Sequence, residues 1–121
     1  MVDYENSLEG VFRCAEIYRK HVASNSLLFF EIFLLVAARK PMPLSDIAKA
    51  IGIAQPSVTT ALIGLGEGGP QFPKSQGQPP DIVSCVTSPL DARMKLAGLT
   101  TRGIDLALAM RAALHFRGEA Q

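Results

Sequence analysis

Residues 44–65 read LSDIAKAIGIAQPSVTTALIGL, and the order of residue types in this stretch decides the fold. Residues 44–51 predict a short helix closed by Gly52, and residues 55–65 a second one entered through Pro56 in its first turn. Two short helices that cross closely need a small residue at the contact, which Ala48 supplies. They need a left-handed residue where the first helix stops, and Gly52 adopts that conformation without steric penalty. Ile53 fits as an apolar plug in the turn. The second helix presents Val58, Ala61, Leu62 and Leu65 at i, i+3, i+4 and i+7, an inward stripe of helical period. This ordered set predicts a helix-turn-helix over 44–65.

Upstream, residues 4–23 place Leu8, Val11, Phe12, Ala15, Tyr18 and Val22 on one side of a helix, with Glu9, Arg13, Glu16 and Lys20 opposite. Ser24, Asn25 and Ser26 interrupt with cap-forming side chains. A second helix, apolar nearly all round and therefore central, runs from Leu27 to about Arg39, and Pro41 and Pro43 end it. Downstream, residues 66–80 hold four of the ten glycines and four of the eight prolines, an irregular loop. Two β-prone runs, 82–87 and 94–99, then predict a hairpin within 81–99. A last helix over 101–116 is so apolar that its outer side calls for a partner chain, and with the first helix it makes a candidate dimer interface. The expected fold is mostly α with a small β-hairpin, as one domain over 1–121.

The second decisive stretch is SPLDARMKLAGLTTRG, residues 88–103. Together with 44–62 it resembles the MarR family of winged-helix regulators, in which an aspartate and arginines at a hairpin tip precede a strand ending in Leu-Thr and a following Gly. The likeness runs from roughly Leu27 to Gly103. It implies a homodimer built from the terminal helices, with one recognition helix per subunit in a major groove of double-stranded DNA and each wing at a flanking minor groove. An effector pocket between the dimer helices and the DNA-binding lobe is a further family expectation. Where such recognition helices usually carry arginines this sequence has Thr60 and Gly64, and a second tip arginine is replaced by Ala92.

The residues themselves supply a contact set. On a helical wheel the outward side of 55–65 holds Pro56, Thr60, Ile63 and Gly64, flanked by Gln55, Ser57 and Thr59. Gln55 suits a bidentate contact to adenine. Ser57, Thr59 and Thr60 suit phosphates or base edges, and threonine methyls or Ile63 suit a thymine methyl. No Lys or Arg lies between Lys49 and Lys74, so phosphate contacts fall to Lys40, Lys49, Lys74, Arg93 and Lys95. Arg93 at the hairpin tip is best placed for a narrow minor groove, and Asp91 either braces the turn or orients Arg93. The alternative function is a winged-helix protein-interaction module that uses this uncharged helix face and the 66–80 loop, with Ile63 and Phe72 meeting a protein partner.

Composition narrows the field. With 12 Lys+Arg against 11 Asp+Glu, the net charge of +1 argues against a protein that coats polyanions and leaves DNA binding to a few placed cations. Cys14 and Cys85 form no CxxC and have no His companions, which predicts a reduced, cytoplasmic chain with neither a zinc site nor a disulfide framework. Cys14 reads as an interface residue, with thiol sensing the sharper option, and Cys85 as a small apolar strand residue. The acidic start shows no signal peptide, and the apolar run 27–38 is too short to span a membrane and contains Glu31. Capping of a helix start explains Ser45 and Asp46 without a nucleophile. The carboxylates form no catalytic pair, no P-loop, GxSxG or HExxH occurs, and no cofactor is expected. An enzyme is not expected.

Overall fold

A computed structural model describes residues 3–22, 26–39, 41–66 and 79–115. Helix α1 (Asp3–His21) is followed by α2 (Leu27–Ala38), strand β1 (Met42–Pro43), α3 (Leu44–Ile51), α4 (Gln55–Leu65), β2 (Val83–Thr87), β3 (Lys95–Leu99) and α5 (Thr101–His115). The strands form an antiparallel sheet in the order β1-β3-β2, with Met42 and Cys85 both opposite Ala97. The mostly helical architecture with a small sheet is the one expected. Strand β1 is an addition that alternation does not reveal. It has two residues, and its Pro43 is tolerated because it sits on a sheet edge, where no ladder donor is needed.

Local signals explain the element ends. Ser26 accepts the Phe29 N–H at 3.2 Å and caps α2. Gly52, at φ 84°, donates its N–H to the Ala48 carbonyl at 2.8 Å, and Ile53 donates to the same oxygen at 3.1 Å, so the chain leaves α3 through a left-handed turn. The N-cap of α3 is Pro43, with no side-chain cap bond, so capping does not explain Ser45, which lies inside the first turn.

The core is shared by every layer. Ile32 and Phe33 of α2, Ile47 of α3, Val58 and Leu65 of α4, Ile82, and Leu106 of α5 are fully buried. Ile82 ties the parts together: it donates to the Leu65 carbonyl at 3.0 Å and accepts from the Thr100 N–H at 3.2 Å. Thr100 Oγ1 in turn accepts the Gly103 N–H at 3.0 Å and starts α5.

Helix α1 differs from its expected stripe. Tyr18 and Val22 are buried, but Leu8, Val11 and Phe12 are exposed, and the inward line is Gly10, Cys14, Tyr18 and Val22. The start of α1 runs beside α5, with Gly10 close against Leu114, so a narrow seam of small residues faces inward and the larger apolar side chains face out. Ile104, Leu108 and Leu114 of α5 are exposed as well. Leu27 and Leu34 show that α2 is not covered all round. Among the described residues no helix is long and apolar enough to cross a membrane.

Candidate nucleic-acid interface

The helix-turn-helix holds α4 so that Val58, Ala61, Leu62 and Leu65 face the core while Gln55, Pro56, Ser57, Thr59 and Thr60 are exposed. Ile63 is 37% exposed. Gly64 is buried, contrary to its expected place on the outward side. The α2 ring of Phe29 lies over it, and a Cβ there would come within 2.6 Å of Phe29 Cε2. An arginine at this position would have to displace that ring. The outward side of α4 is therefore Gln55, Pro56, Thr59, Thr60 and Ile63, a surface without charge. Thr59 Oγ1 donates to the Gln55 carbonyl at 3.3 Å, which leaves its methyl and a lone pair to offer a ligand.

The hairpin tip is built to hold one guanidinium. Ser88, a buried polar residue, donates its N–H to the Met94 carbonyl at 2.8 Å, and its Oγ accepts the Leu90 N–H at 3.1 Å. Asp91 Oδ1 accepts the Arg93 N–H at 3.0 Å and lies 3.6 Å from Arg93 Nε. Asp91 thus braces the turn and orients the cation together. The Arg93 side chain is 93% exposed, so it projects from a fixed turn into solvent.

Helix and wing border a common concavity of about 720 Å³, lined by Gln55 and Thr59 on one side, Arg93, Met94 and Lys95 on the other, and Ser45 at the start of α3. Four residues singled out in the sequence as DNA contacts meet there, Gln55, Thr59, Arg93 and Lys95, and Asp91 lines it beside Arg93. Pro56, Ser57 and Thr60 are exposed on α4 outside its lining, and Lys49 stands in the last turn of α3, also outside it. Lys40, Lys74 and Phe72 lie outside the described residues, as does most of the 66–80 loop. Ser45 and Met94 carry no sequence signal as ligand-facing residues, because what brings them to the groove is the β1–β3 pairing rather than a motif. Ile63 lines a neighbouring hollow with Ser84, Cys85 and Lys95.

The cysteines occupy different settings. Cys14 is buried between α1 and α5 within the chain, its thiol donating to the Met110 carbonyl at 2.9 Å, and burial pushes its pKa up. That environment disfavours the thiolate. Cys85 lies in strand β2, as expected, and is exposed there because β2 is an edge strand covered only at Val83. Partial desolvation by the surrounding protein still raises its pKa, opposed by the Lys95 charge. Cys14 also lines a cavity of about 430 Å³ between α2 and α5, apolar apart from Arg111. Among the described residues no group of three or more His, Cys, Asp or Glu is placed to hold a metal ion.

No protein-family profile and no curated protein sequence matches the chain. Its structure is similar to several solved structures. The MepR–DNA complex of S. aureus superposes with a TM-score of 0.63 at 21% identity, covering 85% of this chain and 74% of that one. The PcaV transcriptional regulator of Streptomyces coelicolor, solved with its natural ligand, gives 0.56 at 14% identity over 81% of this chain and 62% of that one. Apo MarR of E. coli gives 0.55 at 13% identity over 95% and 78%. At such identities what is shared is the fold.

Proposed function

We propose that this chain, a winged helix of the MarR type, is a sequence-specific DNA-binding transcriptional regulator that works as a homodimer in the cytoplasm. One observation carries the reading: Gln55 and Thr59 of α4 and Arg93 and Lys95 of the wing line the same concavity. A duplex entering it would offer α4 the base edges of a major groove and the wing the adjacent phosphates and minor groove. Supporting the dimer, Leu8, Val11, Phe12, Ile104, Leu108 and Leu114 leave apolar surface on the two terminal helices. A two-fold dimer fits its half-sites at one separation only, so moving α5 against α2 would change DNA affinity. The cavity beside Arg111 is where an effector would act on that packing.

Genomic fragment selection at low salt, followed by a gel shift on the enriched fragments, tests the reading. A retarded band whose site is a pseudo-palindrome supports it. Absence of any enriched fragment at low salt overturns it, and capture of a protein through Ile63 instead would favour the interaction-module alternative.

A further inference from the structure

The uncharged face of α4 has a consequence for which base pairs it can read. In the major groove a guanine is recognised through its O6 and N7 acceptors, most often by Arg or Lys, and a cytosine through its amino group by a carboxylate. Helix α4 contains neither kind of side chain. Its exposed groups are one carboxamide, Gln55, the hydroxyls of Ser57 and Thr60, which suit either kind of base edge or a phosphate, and a run of apolar or methyl-bearing surfaces at Pro56, Thr59, Thr60 and Ile63. The carboxamide matches the adenine N6/N7 edge, and the only apolar group displayed in that groove is the thymine methyl. The Thr59 hydroxyl proton is already used on the Gln55 carbonyl, so the side chain meets a base chiefly through its methyl.

The wing makes the same choice by a different route. It presents a single guanidinium, Arg93, oriented by Asp91 on a tip braced by Ser88. A lone arginine is held best where the minor groove is narrow and its negative potential concentrated, a property of A-tracts. Charge-free helix and single-arginine wing select the same class of base pair.

Resting on the proposed DNA-binding reading, we infer that the half-site under α4 and the flank under the wing are A·T-rich, read by Gln55 on adenine and by Thr59 and Pro56 against thymine methyls, with no bidentate guanine contact from α4. The discriminating chemistry is the C5-methyl group of thymine.

Random-sequence selection with the full purified chain defines the site, and fluorescence anisotropy then compares that duplex with one carrying uracil for every half-site thymine. Removing one thymine methyl that packs on α4 is expected to weaken binding about fourfold. Thr59→Ser keeps the helix bond and removes the methyl on the protein side. It should weaken the thymine duplex by a similar factor per half-site and leave the uracil duplex unchanged, a coupling that a merely structural role for Thr59 would not produce. A selected site with guanines at the positions α4 covers, or equal affinity for the two duplexes, overturns this inference while leaving DNA binding intact. Failure to enrich any sequence overturns both.

Discussion

Replacing Arg93 by alanine removes the wing's projecting cation without touching the fold. The side chain is 93% exposed, and its sole ion-pair partner among the described residues is Asp91 on the same turn, so the melting temperature should not change. In a dimer the substitution removes two guanidiniums. Each phosphate neutralised contributes about 0.9 to the slope of log affinity against log salt, so the slope should become shallower by about 1.8. Between about 50 and about 200 mM salt, the wild-type advantage should therefore shrink about 12-fold. Anisotropy titrations of one labelled operator at four salt concentrations measure this directly. Arg93→Lys keeps the charge and should keep the slope, while losing the affinity that comes from fitting a planar group into a narrow groove. An unchanged slope in Arg93→Ala would refute the placement of this residue on DNA, because a cation that displaces no counterions is not at the phosphates.

Other consequences concern the fold and its thiols. A Cβ at Gly103 would collide with the Ile82 carbonyl oxygen, which joins α5 to the sheet, so Gly103→Ala should destabilise by about 1–3 kcal/mol in urea unfolding; an unchanged midpoint would show that this junction is not tight. The buried Tyr18 hydroxyl has no hydrogen-bond partner among the described residues, so Tyr18→Phe should be at least as stable as the wild type, and a clear drop in stability would reveal a partner for the hydroxyl. Burial raises the pKa values of Cys14 and Tyr18 above their ordinary 9.0 and 10.0. The unfolded chain therefore ionises first, and stability should fall as pH rises above about 9; a flat alkaline profile would contradict this burial. With a thiol reagent the native protein should label at the exposed Cys85, and at Cys14 only on unfolding.

Much of the candidate nucleic-acid interface is legible along the chain because its parts are local. Gly52 ends α3 through its own backbone freedom, Asp91 holds Arg93 two residues away, and Val58, Ala61, Leu62 and Leu65 form a stripe within three turns of one helix. A helical wheel misplaces Gly64 because it records angle and not neighbours: the burial of this glycine depends on Phe29, far away in sequence. Cys85 reads as a small apolar strand residue, and its exposure is not legible because alternation cannot tell an edge strand from a central one.

By itself, then, the sequence determined the helix-turn-helix, the hairpin and the absence of charge on α4, all set by interactions spanning a few residues. Only the tertiary structure decided which of those residues meet. The pairing of β3 with β1 and β2 brings Arg93 and Lys95 opposite Gln55 and Thr59, and the packing of α1 along α5 turns Leu8, Val11 and Phe12 outward. The physical reason is the same in both cases. Periodicity identifies which side of an element is apolar, but burial depends on where a distant element crosses it, and that is chosen by the packing of the whole core.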